Sequence, residues 1–120
     1  MAKSNDEVIA EAAREYLTNQ GIGVNTTACQ KVGVWNAQVV LTIVLEPSAT
    51  GYEDVVRSVT AAYWYAQKMV GDGRFITKVV FSRTDWDRRC VVDADVLWRY
   101  LHDRILFVEL LTAIQDSVPR

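Results

Sequence analysis

Two cysteines and one histidine are all that this 120-residue chain offers to thiol, metal or imidazole chemistry, and each scarcity removes a class of function. Cys29 and Cys90 lie far apart, with no CxxC and no Cys/His pair beside them. That argues against zinc and dithiol redox chemistry and for two free, mostly buried thiols in a reducing compartment. His102 is the sole histidine, so any imidazole acid–base or nucleophilic site has to be built there. No serine or cysteine stands at helical spacing to be activated, and Asp103 would project some 100° away on a helix. His102 therefore reads as an exposed or interface residue.

Charge of one sign is also lacking. Thirteen Lys and Arg against 15 Asp and Glu leave a net charge of -2, which gives no general attraction to nucleic acid or an anionic membrane. No apolar run approaches the roughly 20 residues of a membrane helix, because Arg104, Glu109 and Asp116 interrupt the best one. The N-terminal Met-Ala-Lys-Ser-Asn-Asp-Glu has one basic residue and no apolar stretch after it, unlike a secretory signal, so the cytoplasm is the expected location. Gly21-Ile22-Gly23 and Gly71-Asp72-Gly73 each lead into a strand rather than a helix, which makes them helix stops, not phosphate cradles. No catalytic, cofactor-binding or metal-binding motif emerges, and no cofactor is expected.

Half of the residues are hydrophobic and 23% are charged, a globular composition long enough to bury one core without disulfides or metal. A single domain spanning 1–120 is expected, since no linker or low-complexity segment divides it. Ser4 with Glu7 has capping-box spacing, and Val8, Ile9, Ala12, Tyr16 and Leu17 follow at helical spacing, so a first helix covers about 5–20. Val32 and Val34 are separated around Asn36 from an alternating run in which Val39, Leu41, Ile43 and Leu45 share one face, with Val40 and Val44 on the other. This is a hairpin whose second strand is central in its sheet. The apolar phase slips between Val24 and Cys29, which leaves the pairing of 23–30 open.

Pro47, Ser48 and Gly51 break the pattern. Thr50 with Glu53 repeats the capping box before a helix to about 70, with an inward stripe of Val55, Val59, Ala62, Tyr63, Ala66, Met69 and Val70. Residues 75–82 alternate as a third strand, 84–89 form a polar turn, and 90–92 form a short fourth strand leading into a helix capped by Asp93 or Asp95. The fold class is α+β: a single-layer mixed or antiparallel four-stranded sheet packed by helices mainly on one face, in the order α-β-β-α-β-β-α.

Residues 93–116 read as one helix with more apolar surface than one core can take. At 100° per residue Val96, Tyr100, Phe107, Leu111 and Ile114 fall within about 60° of one another, and Leu97, Leu101, Ile105 and Val108 widen the stripe to half the circumference. Trp98, Leu106 and Ala113 then occupy the far side with His102 and Glu109, facing either helix one or another subunit. On the middle helix Trp64 projects opposite the Val59–Ala66 stripe, where an anchor for a protein contact would sit.

The densest polar cluster is Asp85, Trp86, Asp87, Arg88 and Arg89, preceded by Arg83. Asp85 and Asp87 with Asp93 and Asp95 could hold a divalent cation, although turn formation and helix capping use the same carboxylates without metal. Arg88 and Arg89 around Trp86 combine phosphate donors with a stacking surface, against two intervening aspartates. Three functions follow. The favoured one is a non-enzymatic module that self-associates or docks on a protein partner through Trp98, His102, Leu106, Ala113 or Trp64. The alternatives are a divalent-cation-dependent enzyme using the four aspartates and a binder of nucleotide or single-stranded nucleic acid through Arg88, Arg89 and Trp86. The expected partner is a second copy of the chain or another protein, with neither nucleic acid nor membrane.

Overall fold

The computed structural model describes residues 3–47 and 51–119, with the backbone course alone over 115–119. Its elements are α1 (Asn5–Asn19), β1 (Val24–Val32), β2 (Gln38–Leu45), α2 (Tyr52–Val70), a 3-10 turn (Gly71–Gly73), β3 (Lys78–Arg83), β4 (Arg88–Asp93), α3 (Ala94–Leu101), α4 (Phe107–Ala113) and β5 (Gln115–Pro119). The α+β order holds, and the sheet is mixed: β1/β2 and β3/β4 are antiparallel hairpins, joined through α2 by a parallel β2/β3 pairing. Beyond the four expected strands, β5 pairs antiparallel with β4, giving the order β1-β2-β3-β4-β5.

Local chemistry accounts for the first half. Ser4 Oγ accepts the Glu7 N–H at 3.2 Å, closing the start of α1, and Ile22 N–H bonds the Leu17 carbonyl at 3.0 Å to close its end. α1 buries Ile9, Ala12, Ala13 and Leu17. α2 buries Val55, Val59, Ala62, Tyr63 and Ala66 as the spacing predicts, and also Val56 and Thr60, whose hydroxyl donates to the Val56 carbonyl at 2.7 Å. Met69, placed on the inward stripe by periodicity, is exposed. The N-cap of α2 is Gly51, and the expected cap Thr50 lies outside the described residues.

β2 lies between β1 and β3, the interior position its two apolar faces imply. Its buried Val39, Leu41, Ile43 and Leu45 share a face, by register, with the buried Val79, Phe81, Cys90 and Val92. α1 lies on this face: Thr27, opposite Ile43, donates its hydroxyl hydrogen to the Ala10 carbonyl at 2.8 Å. Buried residues of α2, α3 and α4 join the same hydrophobic cluster. The other face presents Val40, Thr42, Val44, Val80 and Val91, all half-buried. The apolar phase slip in β1 is a register shift between Val24 and Thr26, where Asn25 falls out of the ladder.

β3 begins at Lys78 rather than at residue 75, because the chain before it is held by other bonds. Gln67 Nε2 donates to the Arg74 carbonyl at 2.8 Å, and its Oε1 accepts the Ile76 N–H at 2.8 Å. Thr77 then docks on β2, its N–H bonding the Val39 carbonyl at 2.9 Å and its Oγ1 accepting the Val39 N–H at 2.8 Å.

The chief correction concerns residues 93–116, which are not one helix. Asp93 is the N-cap of α3, and α3 stops at Leu101 because Asp103 takes φ +57°, the left-handed position that glycine usually fills after a helix. Arg104 N–H then bonds the Arg99 carbonyl at 2.8 Å and Asp103 N–H the Tyr100 carbonyl at 3.1 Å, satisfying the last turn. α4 restarts after Leu106, whose N–H donates to Glu109 Oε1 at 2.9 Å. The two pieces bury independent positions, Ala94 and Leu97 in α3 and Leu110 in α4. Val96, Tyr100, Phe107, Leu111 and Ile114 pack half-buried against the core, whereas Val108 is 60% exposed. α1 packs on α2 and β1, and Leu106 and Ala113 remain exposed.

Candidate protein-interaction surface

The break after Leu101 turns the expected helical strip into an aromatic cluster between α2 and α3. His102, the C-cap of α3, donates from Nδ1 to the Trp98 carbonyl at 2.9 Å. That bond lays its ring on Trp98, with centroids 4.0 Å apart and planes 21° apart. Trp64 of α2 meets the same imidazole edge-on at 5.4 Å and 86°. Lys68, one turn along α2, places its ammonium 5.1 Å from the centre of the Trp64 ring. Trp98, His102 and Trp64 thus form one unit, in which Trp98 is 40% exposed and Trp64 half-buried.

Beside this unit lies a cavity of about 350 Å³, lined by Trp64, Trp98, Tyr63, Lys68, Asp72 and Phe75 among others. Phe75 is 63% exposed, on the segment that Gln67 holds between the 3-10 turn and β3. The cavity's walls are therefore aromatic and its rim charged. Such a cavity can receive an apolar side chain from a partner, with Lys68 and Asp72 at its mouth. The other two expected interface residues stand apart from it. Leu106, 68% exposed, is the N-cap of α4, and Ala113 shares the outer face of α4 with Val108, Glu109 and Thr112.

The sequence pattern passes over a further apolar feature, the tip of the β1–β2 hairpin. Residues 33–37 form a turn in which Gly33 (φ +92°) and Asn36 (φ +53°) adopt left-handed backbone. That geometry throws Val34 and Trp35 outward, 87% and 90% exposed. The available signal was an apolar Val-Trp pair set between turn-forming Gly33 and Asn36, where polar residues are usual. Because β2 and β3 run parallel and Thr77 pairs with Val39, this tip and Phe75 lie at the same end of the sheet, as does the start of α3 after β4.

The polar loop sits at the opposite end. Asp85 and Asp87 precede β4, Asp93 ends it and Asp95 follows, so roughly 17–20 Å of strand separates the two pairs. Asp95 is paired with Arg99 at 3.0 Å, and among the described residues no group of three potential metal ligands converges. Arg83 grips Asp85 through two hydrogen bonds of 2.7 Å, which hold the Asp85 carboxyl below the usual carboxylate range. The same guanidinium lies 5.4 Å from the centre of the Trp86 ring, and Trp86 in turn meets Tyr52 of α2 at 6.1 Å. Trp86 accordingly folds back on the domain. An open cavity of about 630 Å³ is bounded by Tyr52, Arg83, Asp85, Trp86, Asp87 and Arg88, with carboxylates interleaved among the arginines, while Arg89 stands exposed at the start of β4.

Neither cysteine lines the Trp64–Trp98 cavity, while Cys90 reaches the floor of the polar-loop cavity. Cys90 is buried in the core. The half-buried Cys29 has its thiol pushed up to about 11, first by burial and then by the Asp6 carboxylate 3.9 Å away, so it is poorly disposed to act as a thiolate near neutrality. Among the described residues no helix is long and apolar enough to cross a membrane. No family model, curated protein or solved structure matches the chain.

Proposed function

We propose that this protein is a non-enzymatic module that works by association, with a second copy of itself or with a protein partner, through the surface around Trp64, Trp98 and His102. The observation that carries this reading is the packing of those three rings beside an aromatic-walled cavity while Trp98 stays 40% exposed. Rigid, partly exposed tryptophans beside a cavity are the usual anchors of protein interfaces. The aspartate-based reading receives less support because a strand separates its two carboxylate pairs. The nucleic-acid reading through Arg88, Arg89 and Trp86 receives less because Trp86 packs against Arg83 and Tyr52 and two aspartates stand beside Arg88.

Self-association is the simpler form, since a two-fold axis lets one patch cover its own copy. Light scattering at tens of micromolar should give a mass of two chains or more. Replacing Trp98 with alanine should weaken that assembly, or the capture of a protein partner. A strictly monomeric chain that also retains no protein through Trp98 would end the proposal.

A further inference from the structure

We propose that the β1–β2 hairpin tip is the plug for the Trp64–Phe75–Trp98 cavity of a second copy, so that two chains exchange Trp35 side chains across a two-fold axis. This rests on the self-association reading and deepens it by naming the inserted residue and its receptor. Plug and receptor lie at one end of the same sheet, joined by the parallel β2/β3 pairing and the Thr77–Val39 bonds. An isologous contact requires that placement: each copy must present both halves to the same neighbour.

Size and area both fit. The cavity, about 350 Å³, can admit an indole and is walled by aromatic rings that would stack on it. Val32, Val34, Trp35, Phe75 and Trp98 are among the exposed large apolar side chains at this end. Together they present roughly 700 Å² per copy, comparable with the approximately 800 Å² per partner of a standard stable interface.

The test is sedimentation equilibrium of the full chain and of Trp35→Ala, which removes a side chain 90% exposed in the isolated fold and so should leave the far-UV spectrum and Tm of the monomer unchanged. Two indole insertions are lost per dimer, so the dimer Kd should rise roughly 100-fold or more. A second measurement fixes the geometry. Val34→Cys and Asp72→Cys chains, mixed and mildly oxidised, should give a covalent heterodimer joined between those two positions, identified by mass spectrometry. A native dimer whose Kd moves less than about threefold in Trp35→Ala, or a mixture giving no heterodimer, would overturn the plug while leaving self-association by another face intact. A native chain that is monomeric would overturn both.

Discussion

Leu110 and Val108 sit two residues apart on α4, and the break in the last helix assigns them opposite fates. Leu110 is fully buried, the one residue of α4 that reaches the centre of the core, while Val108 is 60% exposed although a continuous helix from Val96 would put it on the widened inner stripe. Truncating a buried leucine to alanine removes its transfer free energy and leaves a cavity, which costs about 2–5 kcal/mol. We take about 3 kcal/mol, because α4 is a short element that can partly collapse onto the space. For a chain of this length that corresponds to a Tm lowered by roughly 12 °C. Val108→Ala removes two methyl groups that are less than half covered, a loss of about 0.6 kcal/mol, which alanine's better helix propensity offsets by a similar amount.

The expected result in thermal unfolding followed by circular dichroism is therefore a large downward shift for Leu110→Ala and a change within about 2 °C for Val108→Ala. Both variants must be compared with the parent chain at one protein concentration, because association contributes to apparent stability. Equal shifts for the two, or a larger one for Val108→Ala, would restore a continuous helix and refute the separate phases of α3 and α4.

Asp103→Gly should raise stability by about 0.5–1 kcal/mol in chemical denaturation, because glycine takes φ +57° without steric cost and the change removes a carboxylate from a helix C-terminus; a destabilised variant would mean that Asp103 does more than end the helix. The Asp85 carboxyl, with its folded pKa depressed by Arg83, should titrate below the ordinary carboxylate range in carbon-13 NMR and move back up in Arg83→Gln. Since its folded pKa lies below the unfolded value, its contribution to stability is present above that unfolded value and is lost as pH falls through the folded one; an Asp85 titration indifferent to Arg83→Gln would contradict the pairing.

How far the fold could be read from the sequence depended on whether a local signal had a local cause. The Ser4–Glu7 box, the α2 stripe from Val55 to Ala66 and the alternation through β2 were legible because each is written in spacing that one element imposes on itself. The end of α3 was not, since an aspartate supplies the left-handed residue and neither glycine nor proline marks the stop. The Trp64–His102–Trp98 unit was legible only as separate outward residues. It is the break that makes His102 a cap whose ring can contact two tryptophans. Trp35 escaped because a turn leaves no periodicity against which an apolar residue looks misplaced.

Among the described residues three apolar surfaces are left uncovered by helices, and they are unequal as interfaces. The open sheet face offers Val40, Val44, Val80 and Val91, but these are half-buried and share the face with Gln30, Lys78, Asp93 and Arg89. The outer face of α4 offers Val108 and Ala113 on two turns of helix, too little area for a stable contact alone. The hairpin end differs in having both a projection and a cavity. Flat apolar faces gain from burial in proportion to area, whereas a rigid indole entering an aromatic-walled cavity is also fixed in register, and that gives specificity as well as affinity. This end contains Trp98, the residue of the original helical strip that the break left in contact with other rings. The apolar excess of the last third is therefore resolved in two parts, with Leu97 and Leu110 taken into the core and Trp98 left at the sheet end, where the tip of a second chain can reach it.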